Sequence, residues 1–442
     1  MVHSTSNVEL FSVRPYELGY NLKTRPNVSV TARDETQMIG FNVICVFHQL
    51  IGLPYYGIKS TFNVFRSFIG IACSLLFIAI FIASLIPCML ICDKENALRY
   101  KSSRLNRSQS ACIVEIILLA IEAYHTIDND LGLLYARHEF QHFYKFLTDF
   151  VSKQKLVLNY KMKRRLLLTA WGLVFLNIIY AILEIILLYP IINEAINEQS
   201  IPQKAYITVP KKVALCITIA IKTIGSVHSK ALDTLIIYFT LLITYYIVTF
   251  GEVVKEVCNY FDYLDCHRNN STNNNNNSIK NIKNYRSFDD LRLTYISLQE
   301  LTIKADNCLS PCILLTTMCN VIAIMGGIFI GIDIFGQGAK IEADEAFDLF
   351  NALVCAASIF VCGTFGEDII KQTQNALRHL QRISFTKIDD KDYRSIKSMI
   401  DLMEETKINC FTGTGFFKLN KHFLYQLWSI IIPYAILLSQ KY

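Results

Sequence analysis

From Phe423 to Gln440 no residue carries a charge, and only Lys441 and Tyr442 follow. A helix of that length crosses the hydrocarbon core of a bilayer. A chain that ends as it leaves the membrane is expected to have no soluble C-terminal tail, and everything upstream has to agree with that ending. Ser67 to Cys92 is a second run uncharged throughout. With 52% hydrophobic and only 18% charged residues, and the apolar residues blocked into long runs, the pattern is that of a polytopic membrane protein rather than of a large soluble core.

The fold class expected is therefore all-α and polytopic, with seven transmembrane helices and a short re-entrant helix ahead of them. Residues 1–60 form a cytoplasmic arm and the re-entrant segment, where Ile39 to Pro54 is apolar but too short to span. Residues 61–366 hold six spans: Ser67–Cys92, about Ala111–Tyr135, Leu166–Ile192, Thr234–Gly251, Asn307–Ile332 and Phe347–Gly366. The apolar patch Val213–Ile224 extends the fourth outward as one long helix. The Asn-rich stretch 269–277 has nothing apolar to bury and reads as a disordered cytoplasmic loop. Residues 367–422 are charged, with Ile370, Leu377, Leu380, Ile383, Ile396, Met399, Ile400 and Met403 at helical spacing, and are expected to be cytoplasmic anchor helices. Residues 423–442 are the seventh helix.

Lys and Arg set the orientation. Loops 136–165, 251–306 and 367–422 hold eight, seven and ten of them, against three in 193–212 and one in 337–346; only 93–110, with five, runs the other way. The basic loops are cytoplasmic, which puts the N-terminus inside and the C-terminus outside, the reverse of a G-protein-coupled receptor. Asn106 (NRS) is then the one sequon in an outward loop and the glycosylation candidate, whereas Asn269 and Asn270 face the cytosol. The net charge of +6 is spread over these loops, with no basic stripe for nucleic acid. Of fourteen cysteines, seven (Cys45, Cys73, Cys88, Cys216, Cys319, Cys355, Cys362) lie within apolar runs and behave as small buried hydrophobes. No CxxC pairing suggests zinc or redox chemistry. The polar first forty residues, with Arg14, Arg25 and Arg33, do not read as a cleavable signal peptide.

Several stretches resemble the insect gustatory receptors, of the superfamily that includes the insect odorant receptors. Gly415–Asn420 (GFFKLN), then Tyr434, five residues and Gln440, is similar to the family's glycine–aromatic turn and seventh-helix signature. LIGLPYY at Leu50–Tyr56 matches the element after the re-entrant helix, and the stretch from Leu291 (LRLTYISLQELTIKADNCLSPCILL) matches the approach to the fifth span. Pro433 stands where the family has Thr and Lys441 where it has Phe. The resemblance implies a tastant-gated cation channel, four like or unlike subunits around one pore, in the plasma membrane of a sensory neuron. It places Tyr434, Leu437, Gln440 and Lys441 near the pore, with Leu437 at an apolar gate. It puts four Lys441 ammonium groups at the outer mouth unless they snorkel aside. The alternative for Leu437 is an ordinary packing or lipid-facing leucine.

The resemblance also implies an outward-opening pocket for a small-molecule tastant among helices two to six. Acids inside spans face a cavity or partner by default, which makes Glu115, Glu122, Glu184 and Asp333, with Tyr180 on the face of Glu184, the pocket candidates. The plainer reading keeps Glu115 and Asp333 at the water interface and Glu122 hydrogen-bonded to a neighbouring helix. Two other classes compete. His138-Glu139-Phe140-Gln141-His142 is an HExxH pattern, which on a helix sets two imidazoles beside a base and suggests a membrane zinc protease; it lies in a basic loop with no obvious third ligand. A secondary transporter would show an internal repeat with broken helices in matching positions, and none is found. GTGF at Gly413–Phe416 lacks the strand and the GK[ST] of a phosphate loop. The expectation is a non-enzyme with no cofactor or metal.

Overall fold

The computed structural model describes residues 40–48, 139–140, 142–151, 153, 156, 158–198, 211–268, 288–337, 343–383 and 390–440. The first two expected spans, with Glu115, Glu122 and Asn106, fall outside them, as does the Asn-rich stretch. The described helical segments include α1 (40–48), α2 (142–151), α3 (Tyr160–Glu198), α4 (Lys211–Arg268), α5 (Phe288–Gln337), α6 (Ala343–Gln381), α7 (Asp390–Glu405) and α8 (Lys421–Ser439). No strand is present among them, only an isolated bridge between Thr412 and Lys418. The protein is an all-helical, multi-pass membrane protein. Four helices are long and apolar enough to cross a bilayer, within Tyr160–Leu187, Lys230–Asn259, Phe288–Gly336 and Glu345–Gln381.

Helix length organises the molecule. At about 1.5 Å per residue, the 58 residues of α4 reach about 87 Å and the 50 of α5 about 75 Å, against about 30 Å of hydrocarbon. The expected merger of Val213–Ile224 with the fourth span is real: α4 is one unbroken helix. The surplus turns of α4, α5 and α6 build a helical bundle beyond the membrane, continuous with the spans. Asn159 starts α3 by accepting the amides of Lys161 (2.7 Å) and Met162 (3.3 Å). Asn420 starts α8 through the amide of Phe423 (2.9 Å).

α4 is the axis. Lys230 through Thr244 are buried without a break, as expected of a helix surrounded on all sides. Two of its buried threonines return their hydroxyls to the preceding turn, Thr240 to the Ile236 carbonyl (2.6 Å) and Thr244 to that of Thr240 (2.7 Å). The short α1 and α2 lie against it through rings: Phe41 and Phe143 pack on Phe239 at 5.2 and 5.1 Å, and Phe150 meets Tyr246 edge-on at 5.3 Å. α3 has the opposite character. Leu168, Trp171, Phe175, Leu176 and Ile182 are exposed along an apolar surface that suits lipid.

Along α6 the buried positions Cys362, Gly366, Ile369, Thr373, Ala376, Leu380 and Ile383 step by four and three in alternation, the seam of a coiled coil. Small residues dominate it, so backbones approach closely. The sequence reading put Ile370 on this stripe, but Ile369 is buried and Ile370 half-buried, because the phase is inherited from the span above. α7 closes the bundle, burying Ile396, Met399 and Met403 against α5 and α6. Nearer the other end of α5 a Cβ on Gly327 would overlap that of Ala352, so α5 and α6 touch there too.

Candidate functional site

Two constellations stand out from the packing. The first is polar and lies among four helices. On α3, Tyr180 and Glu184 are both buried on one face, as their spacing predicts. The Tyr180 hydroxyl donates to Asn351 Oδ1 of α6 (3.2 Å), and its ring packs on Phe347 and Phe350 at 5.5 and 5.9 Å. One turn on, Cys355 takes a hydrogen bond from the Lys230 ammonium of α4 (3.0 Å). Asp233, three residues along α4, accepts from the Asn320 amide of α5 at 3.1 and 3.4 Å and feels the charge of Lys230. Asn177 of α3 joins in by donating to Thr234 (2.9 Å). Lys230 and Asp233 are each 6% exposed.

An ammonium and a carboxylate sunk in an apolar bundle are costly to bury, and they persist when paired and hydrogen-bonded. This arrangement offers donors and acceptors on every side of the α3–α4–α5–α6 junction. The sequence reading found Tyr180 and Glu184 and missed Lys230, Asp233, Asn320 and Asn351. A signal was available for the first two: opposite charges three apart between the apolar stretches Val213–Ile224 and Thr234–Gly251. Of the other expected pocket residues, Asp333 lies close to the end of α5, and Glu115 and Glu122 are outside the described residues.

The second constellation joins α8 to the bundle. Residues 411–420 make a tight hairpin in which Leu419 donates to Phe411 (2.9 Å) and Gly413 to Phe417 (3.0 Å), turning through Thr414 (φ 49°) and Gly415 (φ 81°). Left-handed backbone favours glycine, which accounts for Gly415 in the GFFKLN element. The hairpin is pinned to α5. Asp306 accepts both the amide (2.7 Å) and the hydroxyl (2.8 Å) of Thr412, while Ser310 donates to the Thr412 carbonyl (2.9 Å) and accepts the Thr414 amide. Phe417 stacks on Phe423 at 4.4 Å, tying the hairpin to the first turn of α8. On the α6 side, a Cβ on Gly366 would overlap the Leu419 carbonyl.

α8 leans on α5 and α6 through a single stripe, Leu424, Leu427 and Ile431. Tyr425, Ile430, Ile432, Ile436 and Leu437 are exposed. Of the expected pore residues, Tyr434 is half-buried, Leu437 is 70% exposed and Gln440 is exposed; Lys441 is outside the described residues. In the HExxH stretch, Phe140 is buried while Glu139 and His142 are exposed, so these described residues do not form the dry, enclosed cleft that metal-assisted hydrolysis requires.

No protein-family model matches the chain, and no curated protein matches it by sequence. Solved structures do. The insect olfactory receptor OR5 from Machilis hrabei in complex with eugenol superimposes with a TM-score of 0.61, at 12% identity, over 93% of this chain and 98% of that one. A second structure of the same receptor gives 0.60, again at 12% identity, over 91% and 98%. The chain has the fold of an insect olfactory receptor. The match covers nearly all of both chains. Within this olfactory-receptor fold, the polar junction sits inside the bundle and α8 sits at its margin, with one face held and the rest open.

Proposed function

We propose that the chain is a subunit of a small-molecule-gated cation channel of the insect chemoreceptor superfamily, of the gustatory type, acting as a homo- or hetero-tetramer in the plasma membrane of a sensory neuron. The observation that carries the reading is the attachment of α8. An apolar helix of 19 residues, fastened along the stripe Leu424–Leu427–Ile431 and otherwise exposed, is unfinished as a monomer. Four such helices around one axis would cover the open faces and enclose a pathway, with Leu437 as an apolar constriction that gates by dewetting.

The ligand in this reading occupies the polar junction around Tyr180, Lys230, Asp233 and Asn351. That the olfactory receptor OR5 has been seen in complex with eugenol supports a small-molecule ligand for this chain too. A buried amine and carboxylate favour a compound with hydroxyl or heterocyclic nitrogen groups over a pure hydrocarbon. Binding there reaches the pore through α5, which carries Asn320 in the junction and Asp306 and Ser310 under the hairpin.

The test is expression of the full chain alone in cells, with cation current recorded against a panel of sugars, alkaloids and amino acids. At least one class is expected to evoke current, with Leu437→Ser raising the current seen without ligand. Confirmed surface expression with silence across the panel, and no basal current in Leu437→Ser, would overturn the reading of a self-sufficient channel.

A further inference from the structure

A cavity of about 450 Å³ opens between α3, α4 and α6, well removed along the helices from the polar junction. Its volume falls in the usual range for small-molecule sites, about 300–1,000 Å³. Its lining is sorted by height. Leu168, Leu241 and Phe365 line one end, while Arg165, Asp368 and Gln372 line the other. α3 runs antiparallel to α4, since Met162 meets Thr249 and Asn177 meets Thr234, and α4 runs parallel to α6, since Lys230 meets Cys355 and Gly251 lies near Gln372, so these residues are level with one another.

The sequence places that level at the membrane surface. The apolar run of α3 begins at Leu166, directly after Lys163, Arg164 and Arg165; that of α6 ends at Gly366, directly before Glu367 and Asp368. Arg165 and Asp368 are opposite charges facing one opening, and among the described residues neither forms an ion pair. The exposed side chains of Leu168, Trp171 and Phe175 continue from its apolar end along α3.

We propose that this cavity is a binding site for the headgroup of a zwitterionic phospholipid, with its phosphate on Arg165 and its ammonium on Asp368. Gln372 supplies a further polar contact to the headgroup, and the acyl chains follow Leu168, Trp171 and Phe175. A guanidinium forms strong charge-assisted bonds to phosphate, and the carboxylate opposite selects against a headgroup that is only anionic. The site does not depend on the channel reading, since it uses none of the residues assigned to ligand or pore.

Native mass spectrometry of the purified full-length chain tests it, with phosphatidylethanolamine, phosphatidylglycerol and free phosphoethanolamine titrated in turn. Phosphatidylethanolamine is expected to bind about tenfold more tightly than phosphatidylglycerol, and Arg165→Gln and Asp368→Asn each to weaken it about tenfold. Asp368→Asn should narrow the difference between the two lipids. A photoreactive phosphatidylethanolamine should label the wild-type chain within 165–175 or 365–372, a readout independent of any variant's folding. Tighter binding of phosphatidylglycerol overturns the zwitterion. Free phosphoethanolamine binding as well as the lipid overturns the lipid source, and labelling confined to other segments overturns the site.

Discussion

Replacing Gly366 by alanine should do the opposite of what helix propensity predicts. Inside a helix, Gly→Ala normally stabilises by about 0.8–1 kcal/mol. At Gly366 the new methyl would occupy the position of the Leu419 carbonyl oxygen. That oxygen cannot swing aside alone, because the same residue's amide is bonded to Phe411 and the adjacent Lys418 is bridged to Thr412. Either α6 shifts along its seam or the hairpin lifts. Overpacking of this kind costs about 1–3 kcal/mol, and lifting the hairpin forfeits backbone bonds worth about 1 kcal/mol each. The net expectation is a loss of about 1–3 kcal/mol. Gly172, on the outer surface of α3, is the matched control: its Cβ would meet nothing within 4 Å, so Gly172→Ala should gain up to about 1 kcal/mol. Thermal unfolding of the two purified variants in one detergent reads the signs directly. The midpoint should fall for Gly366→Ala and hold or rise for Gly172→Ala. Equal shifts in the two variants would refute the close approach of α6 and the hairpin.

Asp306→Ala removes both acceptors of Thr412 and should destabilise the hairpin by about 2–3 kcal/mol, seen as faster amide exchange in residues 411–420 with little change in α4. Lys230→Met leaves Asp233 buried beside Asn320 without its cation and should lower surface expression, a cost of about 3–5 kcal/mol; adding Asp233→Asn should recover most of it, and an additive double variant would refute the coupling. Burial pushes the Cys410 thiol from 9.0 up to about 12, with Lys418 pulling the other way. It should therefore resist maleimide until the chain unfolds. Because the folded state holds this proton more tightly, its contribution to stability is complete below about pH 9 and declines as pH rises toward 12; unchanged stability across that window in a Cys410→Ala comparison would count against it.

Much of this architecture is legible in the sequence because lipid imposes long uniform runs. α4 as one helix and α7 with its buried Ile396, Met399 and Met403 are both local patterns. What is not legible depends on partners distant in sequence. Asp306 resembles any solvated acid until Thr412, 106 residues away, is folded against it. Lys230 and Asp233 fall just before a window drawn from Thr234 onward, and nothing local says that Asn320 and Cys355 will meet them. The misplacement of Ile370 has the same origin: the stripe was phased from the charged segment alone, whereas Cys362 and Gly366, inside the expected span, set it.

Both α5 and α6 touch the two constellations, and the weakest point of α5 lies between them. Pro311 sits inside α5, next to Ser310 and one and a half turns past Asp306. Proline removes a backbone donor, so α5 lacks one helical hydrogen bond directly under the hairpin. On the far side of Pro311, Asn320 holds Asp233 in the polar junction; on the near side, Asp306 and Ser310 hold the base of α8. A helix bends most readily where a rung is missing. A change in the junction that moves Asn320 is therefore best absorbed at Pro311, and the groups nearest that bend are the ones that carry α8. Restoring the rung with Pro311→Ala should leave both ends intact and stiffen the link between them, so the amides of residues 411–420 should become slower to exchange while those around Asn320 stay as they are.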